Sequence, residues 1–134
     1  MLYNPLEAPD PTRWLNLTDE DRFAAVKVFH AEAKLAITNR RNHCAMHVVI
    51  ENQVVNALAP FCALTDRIVA GTLGRLVDEG LDRHEAIHAI SEVTYGAFLA
   101  LLAGETSTVG SDKYHEDLMA MTAETWRKRP PPLR

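Results

Sequence analysis

The chain reads as all-α, a four- to five-helix bundle entered by a Pro-rich N-terminal arm. Three observations point there. Apolar residues recur at helical spacing, as in the stripe Phe23, Val26, His30, Ala33 and Ile37. Hydroxyl and acidic residues stand where such stretches begin, and Gly80 and Gly104 stand where two of them stop. No segment carries a credible strand signal.

Each element has its own signal. Residues 1–17 form the arm: Pro5, Pro9 and Pro11 oppose regular structure, and Tyr3, Trp14 and Leu17 are expected to dock it as an extended segment. Thr18, followed by Asp19, Glu20 and Asp21, opens a first helix that runs to about Ile37. Thr38 or Asn39 caps a second, which runs to about Leu58 before Pro60. A third spans roughly residues 64–79 and stops at Gly80. Asp82 opens a fourth, ended by Gly104, and Ser111 opens a fifth that runs to about residue 128. The bundle is therefore residues 18–128, and 129–134 is a basic, Pro-containing tail.

A chain of 134 residues is enough for one domain with a real core. Its net charge of −4 leaves no basic face for phosphates, so nucleic acid is not an expected partner. The longest apolar run, Ala97 to Ala103, is far too short to span a bilayer, and the N-terminus lacks a signal-peptide pattern. No membrane association and a cytoplasmic location are expected. Cys44 and Cys62 are then reduced, small buried hydrophobes.

The chemistry lies in two matching stretches. His43, His47 and Glu51 read H-x3-H-x3-E, and His84, His88 and Glu92 repeat that pattern 41 residues later. Residues four apart on a helix sit one turn along and about 40° round, so each histidine pair can grip one ion. His43 and His47 share a side with Met46, Ile50, Val54 and Ala57, and His84 and His88 with Ile87, Ser91, Tyr95, Phe98 and Leu102. Both pairs therefore face the interior, where four imidazoles without a metal would each need a hydrogen-bond partner. Glu51 and Glu92 lie at the edge of that face, as ligands or as groups that orient the rings.

The second stretch is also an HExxH string. As a zinc peptidase it would use Glu85 as general base. Asp82-x-x-Glu85 is equally a capping box, which accounts for Glu85 without chemistry. Tyr95, two turns beyond His88, reads as core or as a donor to a bound ligand. His30 reads first as a core histidine and second as a fifth ligand. His115 is placed on the solvated side of the last helix, with Met119, Met121 and Trp126 in the core.

The strings "NHCAMHVVIENQ" and "DRHEAIHAISEV", with "YNPLEAPDPTRWL" ahead of them, resemble a group of small bacterial all-helical proteins that pair an H-x3-H helix with an HExxH helix. The resemblance implies a helical fold and a metal site, and no reaction. The ligand inventory is also loosely similar to hemerythrin, through His30, His47-x3-Glu51 and His84-x3-His88. It departs by the extra His43 and by lacking that family's H-x4-D ending. Ferritin-like carboxylate bundles carry two E-x2-H motifs, and this chain has one, Glu85-x2-His88.

These readings converge on a transition-metal site made by His43, His47, His84 and His88, with Glu51 and Glu92, and with Glu85 and Tyr95 as candidate catalytic groups. Iron or zinc is favoured, and copper, nickel and cobalt also suit imidazole. The expected function is a small metalloenzyme, with redox chemistry ahead of metal-activated water acting on a small-molecule substrate. A non-catalytic carrier or structural site is the alternative, and a peptidase comes last. Two-helix sites of this kind can also sit at the interface of a homodimer.

Overall fold

The computed structural model describes residues 2–32, 40–104 and 112–128. Among them the chain is helical with no strand: α1 (Pro11–Asn16), α2 (Asp19–Glu32), α3 (Arg40–Asn56), α4 (Leu64–Asp78), α5 (Arg83–Leu102), α6 (Asp112–Ala120) and α7 (Ala123–Arg127). Helix α3 is central and packs against α2, α4 and α5.

The start and stop signals act as local chemistry predicts. The Thr18 hydroxyl accepts from the Asp21 N–H at 3.1 Å at the head of α2. The Asp82 carboxylate accepts from the Glu85 N–H at 2.7 Å at the head of α5. Gly80 ends α4 at φ 107°, with Leu81 N–H bonded to Leu76 carbonyl and Gly80 N–H to Val77 carbonyl. This is a Schellman stop, and the positive φ is what glycine supplies. The caps expected at Thr38, Asn39 and Ser111 lie outside the described residues, as does the tail.

Two expectations are corrected. The arm is not wholly extended: residues 11–16 form α1, because Asp10 caps it and Pro11 sits where a missing N–H costs nothing. Nor is there one last helix. Thr122 and Thr125 exchange side-chain and backbone hydrogen bonds in a capping box that starts α7 afresh.

The core has two parts. One joins α3, α4, α5 and α6 through Ile50, Val69, Leu76, Ile87, Ile90 and Leu118. The other joins the arm, α2 and α3 through Tyr3, Trp14, Val26, Cys44, Val48 and Val55. Trp14 anchors the arm: it is fully buried, and its Nε1–H donates to Asn52 at 2.8 Å. Arg22 donates to the same Asn52 oxygen and to the Trp14 carbonyl, so α1, α2 and α3 are tied at one point. No helix is long and apolar enough to cross a membrane, among the described residues.

The interior face of α5 is shorter than its sequence pattern. Burial ends at Thr94, and Tyr95, Phe98 and Leu102 are exposed. In the other direction, His115 is buried, with its Nε2 2.8 Å from the Thr65 hydroxyl, while Met119 is exposed. A polar residue with a partner on α4 takes the internal position that periodicity assigns to an apolar one.

Candidate metal centre

Five imidazoles meet between the two core regions. His30 comes from α2, His43 and His47 from α3, and His84 and His88 from α5. One ligand nitrogen from each lies within 4.8 Å of all the others. The H-x3-H spacing puts both rings of a pair on one helix face, and the packing of α3 against α5 brings the two faces together. His30 is delivered by α2, which packs on the other flank of α3.

The rings are oriented from behind. Nδ1 of His30 is 2.8 Å from the Val26 carbonyl, which can only accept. Nδ1 therefore carries the proton, and Nε2 presents a lone pair in the neutral ring. Nδ1 of His47 is 3.2 Å from the Tyr3 hydroxyl, which donates its own proton to Glu51 at 2.6 Å. The Tyr3 oxygen is thus an acceptor for His47 Nδ1–H, and His47 Nε2 too is left bare.

These bare nitrogens point inward. His30 Nε2 lies 2.9 Å from His43 Nε2, and His47 Nε2 lies 3.2 Å from His88 Nε2. Nitrogens bound at about 2.0–2.1 Å to one ion, about 90–110° apart, are separated by about 2.9–3.4 Å. The observed contacts match such edges. His84 Nε2 is buried with no hydrogen-bond partner, an arrangement that costs free energy unless something accepts its lone pair or its proton. Phe29 lies edge-on to both His30 and His84.

Electrostatics favour the neutral, ligating form. Burial, reinforced by His88, His30, His43 and His84, holds His47 well below the usual imidazole range. Burial, with His30 adding to it and Asp82 opposing, lowers His84 to about 4. Both rings are unprotonated at neutral pH.

Glu51 stands behind the cluster rather than in it. It is fully buried, and Arg83 donates to both of its oxygens, Nη2 at 2.6 Å and Nη1 at 2.8 Å. The same guanidinium reaches the carbonyls of Pro5 at 3.0 Å and Glu7 at 3.2 Å. The result is a relay from His47 through Tyr3 and Glu51 to Arg83, fixed to the arm. Burial, then the Glu51 carboxylate, push the Tyr3 phenol far above its ordinary range, so it stays protonated.

The six residues expected at the metal thus separate. The structure brings His43, His47, His84 and His88 together, uses Glu51 to orient His47, and leaves the half-buried Glu92 outside the converging group. Of the candidate catalytic groups, Glu85 is exposed beside its cap and Tyr95 is exposed on α5. His30, read first as a core residue, joins the cluster. Tyr3 and Arg83 were not foreseen as parts of the site. Tyr3 stands 44 residues before His47, and only Arg83, adjacent to His84, carried a sequence hint. Comparison with family models, with curated proteins and with solved structures finds no match to this chain.

Proposed function

We propose that the five-histidine cluster holds one transition-metal ion and that the protein is a small metalloenzyme acting on a small molecule. One observation carries the reading: imidazole nitrogens from three helices converge within 4.8 Å, and one of them, His84 Nε2, is buried without a partner. A divalent cation satisfies all five lone pairs at once.

The donor set bears on the metal. Five imidazole nitrogens and no carboxylate suit a late first-row ion and not magnesium or calcium. Structural zinc is almost always four-coordinate, so five donors favour iron first, with zinc, cobalt, nickel and copper behind it. Iron would supply redox chemistry, and zinc would activate water. A carrier or structural role is the second reading, supported by the complete burial of His30 and His47. The zinc-peptidase reading loses ground because Glu85 is exposed and His84 and His88 are joined by three further imidazoles.

Elemental analysis of purified protein tests the proposal. The expected result is about one transition-metal ion per chain, lost from a His47→Ala, His88→Ala double variant that keeps its helical circular dichroism. Metal-free wild-type protein that takes up no iron, zinc or cobalt on reconstitution would overturn it.

A further inference from the structure

One end of the bundle is apolar where it meets water. Tyr114 and His115, consecutive on α6, reach Thr94 of α5 at 2.7 Å and Thr65 of α4 at 2.8 Å. The start of α4 and the part of α5 that follows Thr94 therefore lie at the same end. Between Thr94 and its stop at Gly104, α5 has no buried residue. The helix face that carries His84 and His88 runs on there as Phe98, Leu99 and Leu102. At the histidines α3 covers that face; farther along, Phe98 and Leu99 are about half exposed and Leu102 is 75% exposed. Just ahead of α4, Phe61 is 99% exposed, and Leu64 is exposed in its first turn.

Both stretches lack charge. Residues 57–65 and 93–104 contain no acidic or basic side chain, in a chain that is 24% charged. A helix apolar on every side is normally covered. From their exposures, Phe61, Leu64, Phe98, Leu99, Leu101 and Leu102 present on the order of 700 Å² of side-chain surface at this end, close to the roughly 800 Å² that each partner gives to a stable interface. The missing charge bears on what covers it. A two-fold axis sets the residues nearest it against their own copies, so a charge there would meet its like, and a face for self-association is emptied of charge. A face for a different protein uses opposite charges to steer and register it. A helix that lies on a membrane carries Lys and Arg along its flank, and neither stretch has one.

We infer that this end of the bundle is the interface of a homodimer. Phe98, Leu99 and Leu102 pack on the same stripe of a second copy across a two-fold axis, and Phe61 and Leu64 are covered beside them. The pairing uses no ligand of the histidine cluster, so it stands or falls apart from the metal reading.

The test is sedimentation equilibrium of the full-length protein at micromolar concentrations, metal-free and zinc-loaded. The expected mass is twice that of the 14.9 kDa chain in both. A Leu99→Glu, Leu102→Glu double variant sets like charges against each other across the axis and should sediment as a monomer with unchanged helical circular dichroism. If that variant loses helicity, Leu99→Ser, Leu102→Ser takes its place, introduces no charge at these exposed positions, and should raise the dimer dissociation constant at least tenfold. Wild-type protein that stays at the mass of one chain would overturn the inference, and its co-flotation with phosphatidylcholine vesicles would then give the face to a bilayer. A dimer held as tightly by a folded variant as by wild type would also overturn it, because the contact then lies elsewhere on the surface.

Discussion

Nε2 of His47 lies 3.2 Å from Nε2 of His88, across 41 residues of chain. Because His47 Nδ1–H is engaged by Tyr3, the lone pair on Nε2 points at its partner ring. A shared cation turns that contact into two coordinate bonds. Each ring supplies its own bond to that ion, so removing either should weaken the site, and removing both should weaken it further. In chelator competition, His47→Ala and His88→Ala should each lower metal affinity by well over the roughly 10–100-fold typical of outer-shell changes. Undiminished metal affinity in either variant would mean that the two rings do not share one ion.

Arg83 and Glu51 form a second linked pair, one partner fully buried. Deleting the cation alone strands a carboxylate in the interior. Arg83→Met should lower the unfolding free energy of metal-free protein by about 3–5 kcal/mol, as for other broken buried ion pairs. The double variant Arg83→Met, Glu51→Gln should recover much of that loss, because no buried charge is left unmatched. Urea denaturation of the three proteins reads the difference, and a double variant no more stable than Arg83→Met would contradict the pairing.

The helical class and the ends marked by Thr18, Gly80 and Asp82 were legible because they are local. Thr18, Asp82 and Gly80 act through neighbours within a few residues, and their chemistry holds in almost any context. The four paired histidines were legible for the same reason, since spacing on one helix sets which side chains share a face. What the repeat could not show is that its two glutamates differ. Glu51 meets Arg83 and Tyr3, while Glu92, identical in pattern, stays outside the cluster. That distinction is made by the arm folding back, a tertiary event with no periodic signature. His30 was ambiguous because one histidine on an apolar stripe has the same pattern whether it binds an ion or only packs. The break at Thr122 was hidden because threonine replaces the usual Glu or Gln in its capping box.

Acid should act on the metal-free fold in a definite direction. His84 is lowered to about 4 by burial and by His30, and burial, reinforced by the neighbouring rings, holds His47 well below the usual imidazole range. An unfolded chain binds those protons near the ordinary imidazole value of about 6.5. The unfolded state thus gains protons first, so stability is complete above about pH 6.5 and declines as pH falls toward 4. The melting temperature of metal-free protein should drop across that window, and His84→Phe should flatten the drop. A melting temperature constant from pH 7 to pH 4 would contradict a buried, neutral cluster.

Tyr3 should contribute to metal affinity without touching the metal. Its hydroxyl holds His47 Nδ1–H and is held by Glu51, while its ring packs on Trp14 at 5.9 Å and Phe29 at 6.2 Å. Tyr3→Phe keeps the ring contacts and the burial, and Arg83 still donates to both Glu51 oxygens. What is lost is the acceptor that fixes the His47 tautomer. Outer-shell partners of this kind are worth about 10–100-fold in metal affinity. Chelator competition on Tyr3→Phe should therefore show a loss in that range, while urea unfolding of the metal-free variant shifts far less. Deleting residues 1–8 should weaken metal binding at least as much, since it also removes the Pro5 and Glu7 carbonyls that hold Arg83. If Tyr3→Phe binds metal as tightly as wild type, His47 is oriented by packing alone and the relay to Arg83 is structural. If affinity and stability fall together, the arm acts on the fold as a whole. Only a selective loss of affinity marks Tyr3 as a positioning residue of the metal centre.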